Sequence, residues 1–469
     1  MNRTHLWGLL GFALVLRLIS LATYPLMDTT EARYGEMARL MVETGNWLTP
    51  QFDYGVPFWG KPPLFTWMSA VGIELFGLSE FAVRAPHWLA GVLTIILMAY
   101  MARKSGYSAL VTSIVLATCG IFSIAAGAVM TDMALTLSMT IAMAGFYFCW
   151  LGKGEIRKDK IWGYVGFIGL ACGLLAKGPV AIVIMGIAVF PWLVIQHGLV
   201  GAFVQLWKRF PIIGGLVVML AIALPWYIMA EIATPGFIDY FIIGEHFSRF
   251  VVSGWEGDLY GSAHDQPRGM IWLFWIQSAA PWSIVLPLLA FRRREKVKQL
   301  NQDNPGLFSF LTCWLLSPLI LFSLAGNILP AYILPGIPAL GLMVAMLVIK
   351  TDKKWFSHVA LVLPVLLMIA MLVLNLGKAD QKSDRVIFTQ ITDEAPSFYV
   401  GGRPFSGQFY SQGKAKRLES TDMLEGLEKY YLIGRPNVVM DTLVENNLTC
   451  NKEFTSKSKR ALYTCFGSK

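Results

Sequence analysis

An all-α polytopic membrane domain followed by a small α/β domain is the fold class that the sequence predicts, on three observations. Hydrophobic residues make up 55% of the 469 residues and mean hydropathy is +0.55, more than a water-soluble globular chain carries. Several apolar runs reach the ~20 residues that cross a hydrocarbon core as a helix. After residue 376 these runs stop, and charge, glycine and asparagine rise. The chain therefore divides into a membrane domain, 1–376, and a tail domain, 377–469.

In chain order, spans are predicted at 6–24, 82–101, 107–128, 133–151, 161–176, 179–196, 211–231, 270–291, 307–325, 331–349 and 356–376. The pair 161–176 and 179–196 is weakest, because Lys177-Gly178-Pro179 divides it. An odd total of about 11 to 13 spans is expected. The first segment lacks a small-residue cleavage site and is read as an anchor, not a signal peptide. Arg3, Arg103, Lys104, Lys153, Arg157, Lys158, Lys160, Lys208, Arg209, Arg292–Arg294, Lys296, Lys298, Lys350, Lys353 and Lys354 fall in loops on one side. Fewer cations fall in the longer loops of the other side, so the first set is cytoplasmic and the N-terminus with it. The net charge of +9 is then a consequence of topology and calls for no nucleic acid.

Two outer loops, 25–81 and 232–269, carry the candidate site. Within the first, Glu31–Glu43 places Tyr34, Met37, Leu40 and Met41 on one side at helical spacing, predicting an interfacial helix with its apolar side in lipid. The tail shows strand-like stretches at 385–390, 397–400 and 430–433 around a helix-like piece at 420–428. Cys119, Cys149, Cys172 and Cys313 lie in spans as apolar fillers. Cys450 and Cys465 lie in the outer tail, where a disulfide is chemically permitted. No internal repeat is evident.

Ionisable groups beside membrane spans are expensive to desolvate and read by default as functional. Asp28 and Glu31 either take a proton from an attacking group or cap the interfacial helix. Asp132 opens a span, where the same two readings apply. Lys61, followed by two prolines that fix an extended backbone, either binds a lipid phosphate or snorkels to the interface. Lys177 sits in a helix break, and irregular backbone at membrane depth lines a cavity. Arg33 and Tyr34 join the first cluster, while Glu245, His246 and Arg249 share the second loop and Tyr332 lies within reach of a phosphate or sugar. One histidine beside one acid is not a metal signature, so no metal ligand is assigned and a divalent ion stays an open question. No phosphate-binding loop or dinucleotide fingerprint is present, which points to lipid substrates entering from the bilayer.

These pieces in this order resemble the bacterial aminoarabinose transferases (ArnT-like), within the wider protein mannosyltransferase-related group of GT-C fold. The resemblance rests on Glu31-Ala-Arg33-Tyr34-Gly-Glu36-Met-Ala-Arg39, Gly45-Asn-Trp47-Leu-Thr-Pro50, Lys61-Pro62, Phe76-Gly77, Phe81-Ala-Val-Arg84, Asp132, Ala176-Lys177-Gly178, Glu245-His246-Phe-Ser-Arg249-Phe250 and Leu329-Pro330-Ala-Tyr332. It departs at Thr30, Gly60 and Gly326-Asn327-Ile328, where the family often carries aspartate, glutamate and a lysine-bearing junction. The resemblance implies an inverting glycosyltransferase of the bacterial inner membrane. A sugar would pass from undecaprenyl phosphate to an acceptor at the periplasmic face, in that family aminoarabinose to a lipid A phosphate. Asp28, Glu31 or Asp132 would orient or deprotonate the acceptor, and Lys61, Arg33 and Lys177 would stabilise the leaving phosphate. Protein O-glycosylation, another envelope-glycan transfer and non-catalytic lipid carriage are the competing expectations. The sequence assigns no oligomeric state.

Overall fold

The structure, a computed structural model, describes residues 3–152, 156–261, 264–303, 306–349 and 353–467. Lys153 and Lys350, two of the cations that orient the chain, lie outside them.

Each predicted span is a helix or a broken pair of helices. The chain opens with α1 (Arg3–Ser20), α2 (Thr30–Thr44), a small hairpin of β1 (Gln51–Asp53) and β2 (Val56–Pro57), and α3 (Leu64–Phe76). Then come α4 (Glu80–Lys104), α5 (Ala109–Ala117) and α6 (Gly120–Ala125), the last two sharing one predicted span, and α7 (Thr131–Leu151) and α8 (Ile156–Lys177). Next are α9 (Val180–Arg209), α10 (Ile212–Ala233), a π-helix (Asp239–Ser248) with its terminal turn α11 (Arg249–Val251), α12 (Met270–Ser278) and α13 (Trp282–Arg292). The membrane part closes with α14 (Arg294–Asp303), α15 (Leu307–Ser323), a 3-10 segment (Pro330–Gly336), α16 (Ile337–Leu347) and α17 (Lys353–Val373). Among the described residues seven helices are long and apolar enough to cross a membrane, and the α12–α13 pair, bent by 94°, makes an eighth. These are fewer than the roughly 11 to 13 expected, because α1, the broken α5–α6 pair and the short α15 fall below that length or apolarity. Local chemistry sets the ends. Ser79 caps α4 by accepting from the Ala82 N–H, with Glu80 in the first turn and Arg103 and Lys104 in the last, each sign matching the helix dipole.

The seam between α7 and α8 positions the residues on the face that carries the loops 25–81 and 232–269. A Cβ at Gly145 would stand 2.6 Å from the Gly166 nitrogen, and one at Gly169 would stand 2.6 Å from the Ala142 nitrogen. Small residues thus let the two backbones touch, which is how helices associate in lipid. The pair runs antiparallel, so the start of α7 meets the end of α8. There Gly178 turns the chain at φ +85°, and a side chain on it would strike Phe241 and His246.

The amphipathic segment of the first outer loop is indeed a helix, α2, but its apolar side does not face lipid. Tyr34, Met37, Leu40 and Met41 are buried inside the protein, with Phe58, Phe65 and Phe409 in the same core region. The expectation failed because its partners lie far off in sequence, in α3 and in the tail.

The tail adds α18 (Arg385–Gln390), β3 (Ser397–Tyr399), α19 (Phe405–Tyr410), β4 (Lys416–Arg417), β5 (Lys429–Gly434), α20 (Pro436–Glu445), β6 (Cys450–Thr455) and β7 (Ala461–Phe466). The sheet order is β4-β3-β5-β7-β6, parallel across β4-β3-β5 and antiparallel thereafter. Two expectations for the tail fail. Residues 385–390, read as a strand, form α18, whose Ile387 packs under Tyr399, Tyr431 and Ile433. The helix expected over 420–428 is a single 3-10 turn at Thr421–Leu424, because Glu425 is extended and Gly426 follows it at φ +76°. Cys450 and Cys465 face each other on β6 and β7 and are bonded.

The tail domain is tied to the same face that carries the outer loops. Arg403 donates to both oxygens of Asp53 at 2.7 and 2.6 Å, and Arg385 pairs with Glu80 at 3.2 Å. Tyr410 donates to Glu80 at 2.9 Å and accepts from the Leu26 N–H at 2.7 Å.

Candidate active site

Two cavities meet on this face. The first, about 320 Å³, is walled by Pro179, Val180, Val183, Phe250, Leu321 and Phe322, from the α9, α11 and α15 neighbourhoods. The second, about 370 Å³, is rimmed by Thr29, Thr30, Arg33, Tyr34, Phe58, Asp132, Asp258, Tyr260 and His264. One wall set is apolar and the other polar and aromatic. Both include Lys61, Lys177, Glu245, Arg249 and Tyr332, so these five residues form the junction.

Each junction residue is placed by the fold. The α7–α8 seam brings Lys177 Nζ to 2.5 Å from Asp132 Oδ1, with the ammonium 4.2 Å over the Tyr332 ring. Lys61, on the extended segment after β2, reaches Glu245 Oε2 at 2.7 Å. Arg249, one turn after Glu245, pairs with it at 3.0 Å and with Asp258 at 3.2 Å. Glu245 is only 3% exposed as a side chain, so its charge is neutralised almost wholly by these two cations. Burial pushes the Glu245 carboxyl up, but Lys61 and Arg249 outweigh it and hold the group below the usual carboxylate range. Lys61 is in turn raised above its ordinary value: burial opposes this, and the Glu245 carboxylate overcomes it. The junction is therefore three fixed cations, each already held by a buried carboxylate (Glu245, Asp132 or Asp258), and an anionic ligand from either cavity meets ammonium and guanidinium groups that are in place beforehand.

Of the eleven residues singled out from the sequence, nine line the cavities and two do not. Asp28 accepts from the Ser406 N–H at 3.0 Å and from the Ser406 hydroxyl at 2.5 Å, outside both linings. Glu31 grips Arg84 with both oxygens at 2.8 Å. Arg84 is fully buried, and also donates to the carbonyls of Leu21, Tyr24 and Pro25. Both acids thus hold chain segments and stand outside the two cavity linings, whereas Asp132, the third acid expected among the acid–base groups, lines the polar cavity. Asp258 and Tyr260, which the sequence left unassigned, do line the polar cavity. Tyr260 carried no signal beyond its loop position, whereas Asp258 was visible as an acid near Arg249.

Removing the charge of Glu31 leaves the Arg84 guanidinium buried and unpaired. Glu31→Gln is expected to destabilise the protein by on the order of 3 kcal/mol, read as a lowered unfolding temperature in detergent. Unchanged melting would show that the pair contributes nothing.

His246 lines the apolar cavity with both ring nitrogens against backbone carbonyls. Nδ1 lies 2.8 Å from the Phe241 carbonyl and Nε2 3.0 Å from the Lys177 carbonyl, so the neutral ring donates to one of them and only the imidazolium would donate to both. Burial lowers its pKa, helped by the nearby Lys61 charge, and outweighs the two carbonyl partners that favour the imidazolium. Among the described residues no group of three or more His, Cys, Asp or Glu side chains could hold a metal ion. Glu245 in particular is already paired with Lys61 and Arg249. A histidine kept neutral by the fold is protonated first in the unfolded chain, so stability falls as pH drops below about 6.5. Lowering the pH from neutral should depress the unfolding temperature, less in His246→Asn than in the unmodified protein. Equal slopes would place the titration elsewhere.

A family model described as dolichyl-phosphate-mannose-protein mannosyltransferase matches residues 7–241. An undecaprenyl phosphate-alpha-4-amino-4-deoxy-L-arabinose arabinosyl transferase of Enterobacter sp. (strain 638) is 31% identical over 346 residues, 72% of this chain and 58% of the relative. Its counterpart in Edwardsiella ictaluri (strain 93-146) is 33% identical over 330 residues, 68% of this chain and 55% of the relative. The chain thus spans less than two thirds of these relatives' length. Among solved structures, ArnT from Cupriavidus metallidurans bound to undecaprenyl phosphate superposes with a TM-score of 0.77 at 20% identity, over 99% of this chain and 98% of that one. An archaeal oligosaccharyltransferase from Archaeoglobus fulgidus, in complex with an inhibitory peptide and a dolichol-phosphate, gives a TM-score of 0.51 at 10% identity, covering 92% and 69%. These last two are likenesses of fold.

Proposed function

The chain belongs to the dolichyl-phosphate-mannose-protein mannosyltransferase family, and from that premise we propose that it is an integral-membrane glycosyltransferase using a polyprenyl phosphate-linked sugar. The donor is undecaprenyl phosphate-linked 4-amino-4-deoxy-L-arabinose, in line with the relatives' names, and the acceptor a lipid A phosphate, in line with the sequence resemblance. The site faces the periplasm of a bacterial inner membrane, with the N-terminus cytoplasmic and the tail domain periplasmic.

One observation carries this reading: an apolar and a polar cavity share a wall of cations. A prenyl chain suits the first, a sugar and its acceptor suit the second, and the phosphate between them suits the junction. In the reaction the acceptor oxygen attacks the anomeric carbon, and the bond from that carbon to the phosphate oxygen breaks. The phosphate leaves with one more negative charge than it brought. Lys61 and Arg249, already fixed by Glu245, stabilise that charge without reorganising. Tyr332 and Lys177 close the other side. Asp132 is the one of the three expected acids that lines the cavity, and it orients the acceptor and receives the proton that a singly ionised acceptor phosphate carries as its oxygen bonds to the anomeric carbon. Arg33, whose Nε is buried without a partner, and Tyr34 face the polar chamber.

The test is reconstitution in liposomes with undecaprenyl phosphate-linked aminoarabinose and lipid A, with mass spectrometry of the product. Mass spectrometry of lipid A and envelope glycans from cells with and without the gene complements it. Sugar-bearing lipid A supports the proposal. A modified glycan other than lipid A overturns the acceptor, and no transfer to any envelope component overturns the reaction.

A further inference from the structure

The tail domain does more than cover the membrane part: it puts one aromatic ring into the polar cavity. Phe405, the first residue of α19, lines that cavity beside Tyr34, Phe58 and Tyr260. The rings form a connected set. Phe405 meets Phe52 edge-on at 5.1 Å, Phe52 lies 5.1 Å from Tyr260, and Tyr260 lies 4.6 Å from Phe58. The same cavity is lined by hydroxyls and charges: Thr29, Thr30, Arg33, Asp132 and Asp258. Apolar rings together with hydrogen-bonding groups match a carbohydrate ring, which has C–H faces and a hydroxyl edge.

The position of Phe405 is set by its neighbour. Ser406 is fully buried, and both its N–H and its hydroxyl donate to Asp28. Asp28 in turn donates its own N–H to the Lys382 carbonyl at 2.7 Å, so two points of the tail are held at one residue of the first outer loop. Thr29 and Thr30, immediately after Asp28, line the same cavity as Phe405. The latch and the wall are thus adjacent in the chain on both sides of the contact.

We propose that the tail domain supplies a wall of the saccharide site through Phe405, a specificity-determining residue, and that Asp28 is the positioning residue that latches this wall in place. The proposal rests on the glycosyl-transfer reading and adds to it the job of the tail domain. A shortened or displaced ring loses contact with the saccharide and leaves the lipid phosphate junction intact.

The test uses the full chain in proteoliposomes with undecaprenyl phosphate-linked aminoarabinose and lipid A, and measures binding of undecaprenyl phosphate separately. Phe405→Ala is expected to raise KM for the donor or for lipid A roughly tenfold, the loss of one stacked ring contact, with undecaprenyl phosphate affinity unchanged. Whichever KM moves identifies whose sugar sits against the ring. Asp28→Ala should reproduce that KM change with kcat near that of the unmodified protein. Asp28→Asn should restore it, since its amide can both accept from the Ser406 N–H and donate to the Ser406 hydroxyl. A second readout needs no turnover: maleimide labelling of a Phe405→Cys chain should speed up when Asp28→Ala is added and not when Asp28→Asn is added. Transfer with unchanged KM in Phe405→Ala would refute the wall. Equal loss of kcat in Asp28→Ala and Asp28→Asn, or labelling indifferent to both, would refute the latch. Absence of transfer by the unmodified protein would instead refute the reaction itself.

Discussion

Asp132→Asn is expected to lower turnover by about a thousandfold, within the range lost when a positioned general base is removed, while undecaprenyl phosphate still binds. The carboxylate stands at the start of α7, pinned by Lys177 at 2.5 Å, and lines the polar cavity. Asparagine keeps the shape and one acceptor oxygen but has no charge to receive a proton. The substitution also leaves the Lys177 ammonium without its anion, and a partly buried unpaired charge is itself destabilising. The double variant Asp132→Asn, Lys177→Met separates these effects. If stability returns and turnover does not, the loss is chemical. Recovery of turnover in the double variant would reduce Asp132 to a structural partner.

Lys61→Met should weaken undecaprenyl phosphate binding and lower turnover by about a hundredfold or more, the scale of losing one fixed donor to a developing charge. The ammonium is 2.7 Å from Glu245 and belongs to both cavities, so it meets the phosphate wherever the lipid and the sugar join. Methionine preserves the stem and removes the charge. Glu245 then depends on Arg249 alone, and some loss of stability accompanies the loss of binding. Lys61→Arg is expected to recover only part, because a planar fork does not replace a compact ammonium. Full activity in Lys61→Met would move the phosphate away from the junction.

How much of the fold and the site is legible in the sequence depends on the distance of each partner. The membrane helices are readable because apolar runs of bilayer length have one structural solution. Lys61, Lys177, Glu245, Arg249 and Tyr332 are readable as charges or a phenol beside helix breaks, where a burial cost marks function. The contacts of Asp28 and Glu31 are not readable because the groups that engage them are remote: Ser406 is 378 residues away and Arg84 is 53. A carboxylate latch and a carboxylate base look alike until the partner is known. Arg84 itself reads locally as part of a helix start. In the tail, Arg385–Gln390 has strand-like composition, yet α18 forms because packing of Ile387 under the sheet decides the local choice. Strand β6 is mostly exposed and polar, an edge with little hydrophobic pattern to read.

The central claim is that the lipid phosphate sits where the two cavities meet. Cryo-electron microscopy of the protein with undecaprenyl phosphate tests it most directly. The account predicts phosphate density within hydrogen-bond reach of Lys61 and Arg249, and a prenyl chain running past Val183 and Leu321. Phosphate density elsewhere on the protein, with the junction still closed on Glu245, would contradict it.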